Sequence, residues 1–265
     1  MRIIRNITSS GKNTMKTLSS DMEDAIYSNV KEHYPDSWYE PIITKSLLKE
    51  LSDILNQRTI QIPGGTIRTA SMLNILAEDP DHELGDFGIL AKIRYHDGQL
   101  IEGAAIFESV KKDHEKNIFS NLKKDVTKRI RSISHHSMLL MYDYDCITGM
   151  AFPTSAEAII GGQPHGWDTW APYTHAAAVQ SNIALELGIK HTGLYKTAQP
   201  FSYQLCYRYL FGLDLDFQKT AVDTVKGFKS DRGNPKFLFI ISASHGGYEP
   251  DLNIEYDSTK YLEIK

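Results

Sequence analysis

The sequence predicts an α/β protein in which a mixed central sheet is flanked by helices and followed by a helical C-terminal extension. Two observations predict it. Apolar residues recur at helical spacing through the first 55 positions, and from Gly85 the period changes to that of strands with a hairpin turn in the middle. An amphipathic helix and a short apolar run, SMLLMYDYD, come next. Helices, hairpin, helix and strand in that order require the last strand to cross back over the sheet.

Each element has its own signal. Residues 19–33 carry Met22, Ile26 and Val30 at a spacing of four, with Ser20 and Asp21 as candidate caps. Pro41 opens a second helix with Ile43, Leu47, Leu48, Leu51 and Leu55 on one face. After Pro63-Gly64-Gly65, residues 70–77 read as a short helix. The segments DFGILAKIRY and LIEGAAIFESV flank His96-Asp97-Gly98-Gln99 and read as a β-hairpin. In the following helix Phe119, Leu122, Val126, Ile130 and Ile133 form the apolar stripe. Helical stretches follow at about 174–187, 199–211 and 215–228, before the apolar strand KFLFIISAS. No repeat or low-complexity linker divides the chain. It reads as an α/β core over residues 15–150 and a mainly helical extension over 151–265, closed by a strand at 236–243 and packed on the core as one unit.

Composition excludes several classes. The 265 residues are 41% hydrophobic and 23% charged with a net charge of −4, which rules out a disordered or collagen-like chain. Two cysteines, Cys146 and Cys206, make no disulfide framework and suit a reducing cytoplasmic interior. The longest apolar runs fall far short of the roughly 20 residues that span a bilayer, so no membrane association is expected. The polar N-terminus reads as a frayed end rather than a signal peptide. Charge is uneven: residues 111–131 hold eight Lys/Arg against three acids, in a chain that is acidic overall. A local basic stripe of this kind points to a polyanion.

Asp86 at the head of the first hairpin strand and Glu108 near the end of the second carry the candidate chemistry. Antiparallel pairing brings a strand start beside its partner's end. A three-residue loop at 97–99 would set Gly88 opposite Glu108, with Asp86, Lys92 and Glu108 on one face; a two-residue loop would set Phe87 there. Two carboxylates at a sheet edge can hold a hard cation such as Mg²⁺ through oxygen ligands.

The run GDFGILAKIRYHDGQLIEGAAIFESVKK, with the basic helix and strand after it, resembles the core of the PD-(D/E)XK nuclease superfamily, the restriction-endonuclease-like fold. The resemblance covers roughly residues 20–145. It implies metal-dependent hydrolysis of phosphodiester bonds in nucleic acid, DNA being the expected substrate, with Mg²⁺ or Mn²⁺ as cofactor. Asp86 and Glu108 would be metal ligands, and a leading-helix glutamate would complete the shell, Glu23 first and Glu50 second. It also implies a protein partner or homo-oligomer, as in the effector subunits of prokaryotic antiphage-defence complexes. Lys112, Lys116, Lys123, Lys124, Lys128 and Arg131 would hold the nucleic-acid backbone.

The superfamily pattern is Glu-x-Lys, whereas Glu108-Ser109-Val110 puts valine in the lysine slot. Three accounts stay open. A bulge brings Lys111 or Lys112 round; Lys92 on the neighbouring strand takes the role; or the site is degenerate, and the protein binds nucleic acid or scaffolds a complex without cleaving. A second resemblance leads elsewhere: NPKFLFIISASHGG is similar to the strand that ends at the nucleophile of caspase-like proteases, with Ser244 in the cysteine position. Serine there implies a silenced relic. His135 and His136 read as a polar helix-to-strand connection, and His165–Asp168 with Trp170 and Tyr173 as a loop covering the core. No Cys/His metal spacing and no phosphate-cradling glycine motif occurs.

Overall fold

A computed structural model describes residues 13–77, 84–116, 118–119, 122–148, 150, 173–188, 193–229 and 233–264. The His165–Asp168 loop and the first twelve residues lie outside these. The chain opens with α1 (Met15–His33), whose Met15, Leu18, Met22, Ile26 and Val30 are all buried. Thr14, rather than Ser20 or Asp21, caps it by accepting from the Thr17 amide at 3.3 Å. In α2 (Glu40–Leu55) the buried line is Ile43, Leu47, Leu48, Leu51 and Leu55, behind a proline in the first turn.

The strands are β1 (Arg58–Ile62), β2 (Gly65–Leu76), β3 (Phe87–Arg94) and β4 (Leu100–Asp113), then β5 (Ile118–Phe119) and β6 (Ser137–Ile147). Later come β7 (Thr174–Gln180), β8 (Gln199–Pro200), β9 (Phe237–His245) and β10 (Tyr261–Glu263). The main path of the mixed sheet is β1-β2-β9-β3-β4-β6-β7-β8, with β9 parallel to β3 and β6 parallel to β4. One face packs on α1, α2 and the helical turns at 201–211, through Phe87, Ile89, Phe107 and Tyr142. The other packs on α3 (Lys124–Ile133) and a short helix at Lys219–Val225, through Leu90, Ile106, Leu238 and Ile240. No helix among the described residues is long and apolar enough to cross a membrane.

Four local expectations are corrected. Residues 70–76 belong to β2, not a helix, because β2 pairs with β9 from Ile67↔His245 to Ile75↔Phe237. The alanine-rich stretch from Thr174 is helix-forming by propensity, yet Thr174–Gln180 forms a strand against the free side of β6, and only Ser181–Leu187 is helical. Backbone partners and burial on both faces outweigh propensity there. Phe119 pairs in β5 with Lys112 rather than joining the basic helix. The hairpin closes one residue earlier than either expected loop: Tyr95 N donates to Gln99 O at 2.8 Å, so the loop is 96–98.

The strand expected to close a helical extension occupies the sheet's middle instead. Residues 173–264 contribute β7, β8, β9 and β10, and all nine residues of β9 are buried. Its near-continuous apolar run is what a strand covered on both faces requires. Ile240→Ala is therefore expected to cost about 2–5 kcal/mol. Urea unfolding would show a lower midpoint at unchanged slope, and a loss below about 1 kcal/mol would argue against so central a position.

Candidate functional site

The β3–β4 ladder runs from Arg94↔Leu100 to Phe87↔Phe107, so Asp86 and Glu108 are the next residues beyond its end. Asp86 leaves the regular ladder. Its amide still donates to Phe107 O at 2.8 Å, while its carboxylate accepts from the Ser109 amide at 2.5 Å, in place of a backbone oxygen. Gly85 makes this turn possible: its φ is +82°, and a Cβ there would lie 2.7 Å from Phe107 O.

Strand alternation then separates the neighbours. Ser109 and Lys111 point toward α2, where the Thr44 hydroxyl lies 3.4 Å from that of Ser109 and 2.9 Å from that of Tyr142. Lys111 Nζ donates to the Trp38 carbonyl, just ahead of α2. Glu108 and Val110 fall on the opposite face, and both are buried. Asp86 lies where the two sides meet.

Burial pushes the Asp86 carboxyl up to about 6 from an ordinary 3.8. The Ser109 amide, the Lys123 charge and the Ser109 hydroxyl pull it down, and the Glu40 carboxylate pushes it up again. Burial also raises the Tyr142 phenol, reinforced by the Asp86 and Glu40 charges, so Tyr142 stays protonated. Two groups at this site were not assigned to it from sequence. Glu40 opens α2, and Lys123, expected only as a backbone-holding cation, is the residue preceding α3. Neither position has a signal in one dimension, because both arrive on helix ends from other parts of the chain.

The remaining candidates lie elsewhere. Lys92 is six residues along β3 from Asp86, about 20 Å at strand rise, and its ammonium contacts Asp251 Oδ2 at 2.6 Å and Asn253 O at 2.9 Å. Lys112 forms ion pairs with Asp143 and Asp145, both at 3.1 Å. Glu23 faces Thr174 and the Ser202 hydroxyl; burial raises its carboxyl to about 7. Thr174 pairs with Ile147, whereas Glu108 pairs with Leu139, so the two regions stand roughly 25 Å apart along β6. Glu50 is raised by burial and by the Glu32 and Asp53 charges. Lys116, Lys123, Lys124, Lys128 and Arg131 are exposed. Ser244 Oγ donates to Glu249 O at 3.1 Å and His245 Nε2 lies 3.0 Å from Leu210 O, so that strand end holds no serine–histidine pair.

The chain matches no family model, no curated protein and no solved structure. Among the described residues, no three His, Cys, Asp or Glu side chains converge as a ready metal-ligand set.

Asp86 makes the site's stability pH-dependent. Its folded pKa lies above its unfolded value, so the native state binds the proton more tightly and loses stability as pH rises from about 4 to about 6. Asp86→Asn keeps an oxygen for the Ser109 amide and cannot ionise. The variant should match the parent near pH 4 and exceed it by on the order of 2 kcal/mol near pH 8. Denaturant melts of both proteins across that range in EDTA check this; a pH-independent difference would mean that Asp86 does not titrate there.

Proposed function

We propose that the chain is a metal-dependent nuclease whose reacting centre is the Asp86 end of the β3–β4 hairpin. The observation that carries this is the surroundings of Asp86: a buried carboxylate titrating near neutrality, with the Lys123 cation and the Glu40 carboxylate acting on it. A buried anion at a strand end gains most from a divalent cation, and hard cations take carboxylate oxygens while keeping several waters. Asp86 would hold such an ion together with one further carboxylate, Glu40 or Glu108. The ion would supply Lewis acidity and a water of lowered pKa.

The chain's own groups do the rest. The Ser109 amide orients the Asp86 carboxylate. Lys123 faces the charge that develops on the attacked phosphate, the task expected of Lys92, Lys111 or Lys112. Lys111 lies on the α2 side of the site, where it donates to the Trp38 carbonyl. The exposed Lys124, Lys128 and Arg131 lie at i, i+4 and i+7 of α3, one line along the helix, and would track a phosphate backbone. The alternative, a protein that binds nucleic acid or scaffolds a complex without cleaving, is favoured by the buried Val110 in the lysine slot.

The purified protein, incubated with DNA and RNA in Mg²⁺, Mn²⁺ or EDTA, tests this. Asp86→Ala should abolish metal-dependent cleavage. Lys123→Ala should lower turnover about tenfold or more with little change in affinity, and Lys92→Ala should cleave like the parent. Cleavage retained by Asp86→Ala would overturn the proposal. Absence of parent cleavage with either metal, alongside binding in EDTA, would establish the non-cleaving alternative.

Charge reversal of Lys124, Lys128 and Arg131 to Glu should weaken nucleic-acid binding across sequences. It should also flatten the salt dependence by about 0.9 log units per lost duplex contact. An unaltered slope would mean that this face is merely solvated.

A further inference from the structure

Beside the middle of β4, next to Ala104, a hollow of about 420 Å³ opens where α3 runs into β6, lined by His135, His136, Leu215, Asp216, Phe217 and Gln218. Its size falls within the range of small-molecule sites. Its walls come from two segments about 80 residues apart, and one buried side chain joins them. Asp216 accepts from the His135 amide at 3.0 Å and the Gln218 amide at 2.9 Å, while its backbone exchanges bonds of 2.9 and 2.7 Å with Ala104. The hollow is therefore preformed.

Its chemistry is mixed. Leu215 supplies a buried apolar patch, and the Phe217 ring is 51% exposed. One edge of the Phe217 ring rests on Gly103, where a Cβ would meet it at 2.7 Å. The Gln218 side chain is exposed and brings both amide donors and an acceptor. A flat aromatic face beside an amide and two imidazoles suits a planar heterocycle with polar edges.

Position narrows the ligand class. Lys124, Lys128 and Arg131 lead to the last turn of α3, which ends at Ile133; Ser134 is extended and His135 follows it, so the hollow adjoins the C-terminal end of the basic line. A strand with phosphates on that line would deliver a base here. The base must be unpaired, since a base stacked within a duplex cannot expose its faces to Phe217. We infer that the hollow is a subsite for an unpaired nucleobase of a strand bound along α3. This rests on the nucleic-acid reading above and adds the preference for single-stranded substrate.

Fluorescence anisotropy in EDTA tests it without cleavage. The probes are a short labelled single strand, the same length of abasic sugar-phosphate, and a blunt duplex. Phe217→Ala should weaken the intact single strand about fivefold or more, as loss of an aromatic stacking partner does, and leave the other two unchanged. Phe217→Trp should restore binding. Phe217 is exposed, so the variants should fold, and melts of each would verify it. Equal losses on all three probes, or no loss on any, would overturn the inference. If the α3 charge-reversed protein loses all probes while Phe217→Ala changes none, the base subsite falls and nucleic-acid binding stands. If no probe binds the parent, both fall.

Discussion

The insertion of β9 between β2 and β3 is the constraint on which the rest of the structure depends. It joins the β1–β2 hairpin to the β3–β4 hairpin, with nine register pairs on one side and eight on the other. It also reaches the candidate site. Phe237 N donates to Asp86 O at 3.0 Å and Lys236 N to Gly85 O at 3.3 Å, while β4 accepts the Asp86 amide from the other side. The carboxylate that leaves the ladder is thus carried on a backbone held from both flanks. Close approach is built in here too: a Cβ on Gly88 would meet Val225 at 2.9 Å and Pro235 at 3.0 Å. Because β9 follows β3 by more than 140 residues, this junction closes a long loop, and the site is complete only when that loop is closed.

A buried carboxylate in such a place costs stability. Desolvation outweighs the Ser109 bonds and the Lys123 charge, which leaves the group with a titration near neutral pH rather than in the ordinary acid range. Carboxylates held in ion pairs behave in the opposite way, whereas Glu23 and Glu50, away from this site, are raised by burial as Asp86 is. Asp214 is held low by the Arg208 guanidinium, with bonds of 2.7 and 2.8 Å, and Asp251 is held low by Lys92. The ion-paired groups have partners that favour their charge, while burial and Glu40 oppose that of Asp86. Its raised carboxyl together with its position at the strand end beside Lys123 and Glu40 distinguishes it from the ion pairs around it.

The cations divide along the same line. Lys92, Lys112 and Lys226 are mostly covered and paired with Asp251, Asp143 and Asp145, and Glu102 respectively. Those on α3 are exposed, and the apolar side of the helix, Ile130 and Ile133, is spent on the sheet. A helix with one face committed to packing can present the other to a ligand at fixed spacing. The direction of that face is set by Ile130, whose Cδ1 lies 3.1 Å from the position of a Cβ on Gly85.

The sequence by itself determined what depends on neighbours a few residues away. The spacing of Met22, Ile26 and Val30, the proline ahead of α2, the alternation around Asp97-Gly98 and the apolar run into β9 are local periodicities, and each corresponds to an element of the expected type. Asp86 was legible as a candidate because a carboxylate at a strand head beside Glu108 is a local pattern. The tertiary structure alone decided the rest. Residues 70–76 and 174–180 became strands because β9 and β6 offered backbone partners that helix propensity could not match. Placing the hairpin loop one residue earlier moved the position opposite Glu108 from Gly88 to Asp86, a two-residue step of register that keeps Asp86, Lys92 and Glu108 on one face. Glu40 and Lys123 reached Asp86 only through the packing of α2 and α3 on opposite faces of the sheet. Electrostatic neighbours are set by distance in space, which the order of residues along the chain does not encode locally.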